Sequence, residues 1–94
     1  MPINFAKRAE ALQFVRDNSI VVDKVSLAPY TLVRIQCTLN NQIIYATGLA
    51  ECGRHDRFDK NLGIEIAKGR AEMRIARALM SQGRWVRGTF ATGR

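Results

Sequence analysis

The sequence predicts an α+β fold, a small antiparallel sheet with a central hairpin, an N-terminal helix and a long C-terminal helix. Three observations predict it. Apolar residues recur at helical spacing near the N-terminus and again over 62–81. Between those stretches, β-branched runs are punctuated by Pro29 and by the pair Asn40-Asn41. At 94 residues the chain suits a single domain, 1–94, in which 83–94 form a basic and aromatic C-terminal segment. A core of that size leaves little surplus, so oligomerisation is a natural way to bury more area.

Residues 4–17 place Phe5, Ala9, Leu12 and Val15 at helical spacing behind Asn4, a good N-cap. Asn18 and Ser19 end this helix. The run Ile20-Val21-Val22, continuing through Val25 to Leu27, reads as a strand that stops before Pro29. Residues 31–39 and 42–51 then flank Asn40-Asn41, residues that tolerate the positive φ of a tight two-residue turn. Such a turn sets the register: Leu39 opposite Gln42, Cys37 opposite Ile44, Ile35 opposite Ala46, Val33 opposite Gly48. Val33, Ile35, Cys37, Leu39, Ile44, Ala46, Ala50 and Cys52 then share the core side. The other side mixes Leu32, Arg34, Gln36 and Thr38 with Ile43, Tyr45, Thr47 and Leu49. That is too apolar for a solvated surface and too polar for a monomer core, which suits a subunit contact or a ligand site.

From about Leu62 to Ser81 the helical pattern returns. Leu62, Ile66, Met73 and Met80 lie on one flank, while Ile64, Ala67, Ala71, Ile75, Ala78 and Leu79 broaden the apolar surface. Asp56, Asp59 and Asn61 precede it, where acceptors and negative charge suit a helix N-terminus. Gly63 and Gly69 each cost roughly 1 kcal/mol relative to Ala inside a helix, so each is expected to mark a close approach. Gly83 is a plausible stop, followed by Arg84, Trp85, Arg87, Phe90 and Arg94.

The formal charge of +7 is uneven: residues 52–94 hold ten Lys/Arg against four Asp/Glu, and residues 1–51 hold five against four. A basic C-terminal half favours an anionic partner, whether nucleic acid, nucleotide or membrane headgroup. The absence of a signal-peptide pattern and of an apolar run of about eighteen residues points to a soluble cytoplasmic protein with no membrane partner. Cys37 and Cys52 are too few for a disulfide framework and are expected as free thiols.

Within the basic half, Arg70, Arg74 and Arg77 follow the i, i+4, i+7 rule and line one stripe of a helix. Guanidiniums on a rigid stripe repel one another unless an anion sits among them, and their planar fork suits phosphate oxygens. The plain alternative is a solvated face with Glu65 and Glu72 as intrahelical partners. Metal binding is not expected: Cys52 and His55 have ligand-like spacing, but without a paired C-x-x-C the set falls short of a structural zinc site. Nor is an enzyme, because His55, Asp56, Asp59 and Cys52 are close only in sequence and no catalytic motif or cofactor motif is present. A basic helix with an Arg/aromatic tail also suits nucleic acid, and a sheet with a C-terminal helix has the architecture of double-stranded RNA-binding folds. The familiar RNA- and DNA-binding motifs are absent.

The string G-x-A-x-C-x-x-x-D-x-F-D-x-x-x-G-x-x-I-A-x-x-R occurs here as Gly48, Ala50, Cys52, Asp56, Phe58, Asp59, Gly63, Ile66, Ala67 and Arg70. It resembles a pattern in small phage-encoded proteins, the anti-Thoeris sponge family. The resemblance implies a homo-oligomer, a dimer or a trimer of dimers, that captures a cyclic ADP-ribose-type or cyclic oligonucleotide messenger between subunits without cleaving it. Host anti-phage signalling is thereby blocked. It also implies that the paired helical arginines are Arg70 and Arg74, and that the position after the cysteine, Gly53 here, replaces an expected polar contact. Arg54, His55 and Arg57 are candidates to compensate, with Tyr45 as the aromatic on which a base stacks. The alternative function is a basic nucleic-acid-binding module, or an inhibitor of a nucleic-acid-guided defence system, using the same helix and the tail.

Overall fold

The computed structural model describes residues 7–81. The elements are α1 (Arg8–Asp17), β1 (Ser19–Leu27), β2 (Tyr30–Leu39), β3 (Gln42–Glu51) and α2 (Lys60–Ser81). The strands form one antiparallel sheet in the order β1-β2-β3, and both helices lie on one side of it, which gives the expected α+β architecture. The expectations that concern Asn4, Phe5, Gly83, Arg84, Trp85, Arg87, Phe90 and Arg94 fall outside the described residues.

Helix α1 opens later than its periodicity suggests. Lys7, extended at φ −124° and ψ 143°, occupies the N-cap position without a side-chain cap. Ala11 and Val15 are the buried positions, with Leu12 and Phe14 partly covered, whereas Ala9 faces solvent. The reason is the neighbour: α1 packs chiefly on α2, along an i, i+4 stripe centred on the small Ala11. Asn18 ends the helix as expected, its side-chain amide donating to the Phe14 carbonyl at 2.8 Å.

The hairpin has the expected register, with Leu39 opposite Gln42 and Val33 opposite Gly48, and Asn40 takes φ 56° in the turn. Strand β1 pairs with β2 through a bulge between Val21 and Asp23. The extra residue brings Ile20 and Asp23 onto the same face of the sheet, opposite Gln36 and Arg34. On the helix side, Val33, Ile35, Cys37, Leu39 and Ala50 are buried, and Ile44 and Ala46 are partly so. Cys52 departs from this set, because β3 ends at Glu51 and the cysteine lies in the following loop, half-buried.

Helix α2 supplies the rest of the core through Ala67, Ala71, Ile75, Ala76 and Leu79. Its seat on the sheet is unusually close at Gly48. A Cβ there would run into the Ala67 carbonyl and would stand 2.7 Å from the Ala71 nitrogen. Gly63 serves a similar purpose one turn into the helix, where a Cβ would come within 2.5 Å of Thr31 Oγ1. Gly69 does not: among the described residues nothing lies within 4 Å of the place its Cβ would occupy. Leu62 and Ile66, expected with the apolar flank, remain 56% and 40% exposed because the helix buries the adjacent stripe.

Glu72 is the buried charge of the molecule's helical layer. It accepts from Arg16 Nε of α1 at 3.4 Å and pairs with Lys68 Nζ at 3.5 Å. Both cations are partly solvated, so this link positions the two helices more than it stabilises them. In the alternative reading of the stripe as a solvated face, Glu72 is an intrahelical partner; it has such a partner, Lys68, but pairs with none of Arg70, Arg74 and Arg77.

Gly48→Ala is expected to destabilise the fold by about 3 kcal/mol or more, because the methyl meets backbone atoms that no rotamer change can clear. Urea denaturation of the variant checks this, and an unchanged midpoint would contradict the close seating.

Candidate functional site

Three segments meet at the end of the sheet where β1 turns into β2 and β3 runs into α2. The β1–β2 turn contains a cis peptide between Ala28 and Pro29. The Cys52 amide donates to the Pro29 carbonyl at 2.7 Å, tying the β3–α2 loop to that turn. Within the loop, Gly53 and Asp56 close a turn through a 3.0 Å backbone hydrogen bond, and the Cys52 thiol donates weakly toward the Gly53 and Asp56 carbonyls at 3.5 Å. The carboxylate of Asp56 folds back over Gly53, occupying the space a side chain at 53 would need.

Asp59 is the N-cap of α2: its Oδ1 accepts from the Leu62 amide at 3.0 Å. Of the three acceptors expected at this helix start, Asp59 therefore caps directly while Asp56 shapes the preceding turn.

Two adjoining cavities flank the loop. One, of about 410 Å³, lies between the Ala28-Pro29 turn and Glu51, Cys52, Gly53, Arg54, Asp56 and Phe58. The other, of about 400 Å³, is lined by Ala50, Glu51, Cys52, Gly53, Asp56, Arg57, Phe58, Asp59, Leu62, Gly63 and Ile66. Each falls within the range of small-molecule sites. The second has an apolar wall, Phe58, Leu62 and Ile66, at about one-turn spacing along the start of α2. That same exposure of Leu62 and Ile66, unexplained by the core, is what forms the wall.

The arginines are distributed unevenly about these cavities. Arg54 lines the first and Arg57 the second, and neither makes an ion pair among the described residues. Arg70, one turn beyond Ile66, lines neither cavity; its Nη1 donates to the Leu49 carbonyl at 2.7 Å. Strand β3 is an edge strand, so this bond covers an outward carbonyl and leaves the other guanidinium donors free. Arg74 and Arg77 continue the row in solvent and line neither cavity. They too have no acidic partner among the described residues.

The remaining expected residues separate. Gly53 lines both cavities, whereas His55 is exposed at the loop and lines neither. Tyr45 lies on the far face of the sheet, with the Arg34 guanidinium 4.6 Å from its ring centroid, and does not face the loop. Phe58, Leu62 and Ile66 were overlooked as site residues. Leu62 and Ile66 have the spacing of a core flank, and only the placement of Ala67 and Ala71 in the core turns them outward, while Phe58 lies in the loop before α2. Seven residues of the string that runs from Gly48 to Arg70 line the second cavity: Ala50, Cys52, Asp56, Phe58, Asp59, Gly63 and Ile66.

The two thiols differ. Burial pushes the Cys37 thiol up from its ordinary value of 9.0, with the neighbouring Ser19 hydroxyl pulling the other way. No helix among the described residues is long and apolar enough to cross a membrane. No protein-family model, curated protein or solved structure matches the chain.

Two outcomes are expected. In the native protein at pH 8 a thiol reagent should label Cys52 promptly and Cys37 only after denaturation, since Cys37 is both enclosed and protonated there. Asp59→Ala should cost about 1 kcal/mol in thermal or urea unfolding through loss of the cap.

Proposed function

We infer that this chain binds a small phosphorylated ligand of the nucleotide class at the β3–α2 loop and holds it without converting it. The observation that carries this reading is one adjacency: a cavity of about 400 Å³ walled by Phe58, Leu62 and Ile66 takes Arg57 into its lining beside Glu51, Asp56 and Asp59, and Arg70 follows Ile66 one turn along α2. An apolar wall suits the face of a base, and guanidiniums lacking carboxylate partners suit phosphate oxygens. Preorganisation helps as well, because the loop is tied to Pro29 and capped onto α2, so little ordering is left to do on binding.

The more specific form of the proposal is capture of a cyclic ADP-ribose-type or cyclic oligonucleotide messenger by a phage-encoded homo-oligomer in the host cytoplasm. It rests on the motif resemblance, supported by the seven motif residues that line the cavity. Sequestration asks for tight binding alone, because a messenger held in the cavity does not reach its receptor.

A second reading is favoured by a separate observation: Arg74 and Arg77 continue the Arg70 row away from both cavities. A row of i, i+4, i+7 arginines spans about 10 Å of helix, room for two successive phosphates of a polynucleotide. The α1-β1-β2-β3-α2 order with exposed cations on both helices is compatible with a nucleic-acid-binding module.

Calorimetry with cyclic ADP-ribose isomers and cyclic di- and trinucleotides separates the two. For a ligand in the cavity, Arg57→Ala and Arg70→Ala should each weaken binding roughly tenfold or more, about 1.5–3 kcal/mol, while Arg77→Ala changes little. Ligand recovered after heat denaturation should be intact; a converted product would make the protein an enzyme. For a polynucleotide, Arg74→Ala and Arg77→Ala should matter as much as Arg70→Ala, and affinity should fall steeply with salt.

A further inference from the structure

The side of the sheet away from the helices is uncovered among the described residues, and it is apolar. Ile20, Val25 and Leu27 of β1, Tyr30 and Leu32 of β2, and Ile43, Tyr45 and Leu49 of β3 all point there, between 37% and 73% exposed. The register aligns Val25, Leu32 and Leu49 as an unbroken apolar row across all three strands. Leu27 and Tyr30 extend it toward one end, and Ile20, Tyr45 and Ile43 form a second patch toward the other. Between them runs a polar row of Asp23, Arg34 and Thr47.

We propose that this face is the interface between two copies of the chain, packed sheet against sheet. Area is the first argument. With strands about 4.8 Å apart and a rise of about 3.4 Å per residue, three strands of nine or ten residues present roughly 14 by 30 Å. Side-chain relief raises that footprint toward the roughly 800 Å² that each partner contributes to a stable complex. Exposed patches on monomers are commonly no larger than about 300–600 Å².

Charge is the second argument, and it selects the occupant. The chain carries +7 overall, yet the charged residues of this face are Asp23, Arg34 and Glu51, a balance of −1. A polynucleotide or an anionic bilayer is drawn to the basic helices and not to this face. Asp23 and Arg34 are cross-strand neighbours, and the Arg34 guanidinium lies over Tyr45, so two such faces meet without burying a cluster of like charge. The helix side is already a filled layer, and a second sheet laid on the free face at about −30° completes a four-layer α-β-β-α dimer. This inference does not rest on the ligand reading: the apolar residues of this face line neither cavity, and of its charged residues Glu51 alone does.

Sedimentation equilibrium of the full chain from about 1 to 200 μM tests it. The expected mass at the upper end is twice 10.6 kDa. Leu32→Glu with Leu49→Glu should sediment at the single-chain mass while keeping the wild-type circular dichroism. Should that pair fail to fold, Gln36→Lys with Thr47→Lys replaces polar side chains already on the surface, and should raise the dimer dissociation constant at least tenfold. A wild-type protein that stays monomeric across the range overturns the proposal, and so does a dimer whose dissociation constant neither pair of substitutions moves.

Discussion

Backbone-to-backbone contact between α2 and β3 organises this molecule. Gly48 has no side chain, so the carbonyl of Ala67 and the amide of Ala71 rest directly on the strand. That contact sets the rotation of α2 about its own axis. With Ala67, Ala71, Ile75 and Leu79 buried, Leu62 and Ile66 look outward at the first two turns, Arg70 reaches the Leu49 carbonyl on the open edge of β3, and Arg74 and Arg77 stand in solvent. The apolar cavity wall and the cationic row are therefore two consequences of one packing choice. A rotation of α2 by a single residue, about 100°, would move both.

The same geometry explains how a short loop becomes a site. Eight residues connect β3 to α2, and most of their hydrogen-bonding capacity is spent locally: Cys52 on Pro29, Asp56 on Gly53, Asp59 on Leu62. Carboxylates remain part of both linings, Glu51 and Asp56 in each and Asp59 in the second. Arg54 and Arg57 face the two cavities. Within the loop these arginines are balanced by Asp56 and Asp59, and Asp59 already caps the helix N-terminus behind it.

Two faces of the protein have different chemistry, and the sheet separates them. The helix side holds the core, the Glu72 link to Arg16 and Lys68, and the cationic row. The opposite side holds aliphatic and aromatic rows with little net charge. The ligand site proposed at the sheet's end and the interface proposed on its face share Glu51, which lines both cavities and stands on that face. Arg34 and Tyr45 illustrate the separation: the sequence alone put Tyr45 among ligand contacts, whereas the fold pairs it with Arg34 across the sheet, far from the loop.

What the sequence by itself determined was everything that depends on neighbours along the chain. Asn40-Asn41 specified the hairpin and, through it, the full register of β2 and β3; β-branched runs specified β1; Asp59 marked the helix start. These are local because turn geometry and capping are decided within four residues. Tertiary structure alone decided which apolar flank of α2 is buried, since Leu62 and Ile66 fit a core as well as Ala67 and Ala71 do by periodicity. It decided that Glu72 turns to Arg16, fifty-six residues away, and so leaves the arginine row without a partner. It also decided that Gly63 faces Thr31 while, among the described residues, nothing crowds Gly69. In each case the deciding atom belongs to a distant segment, and no spacing rule within the helix contains it.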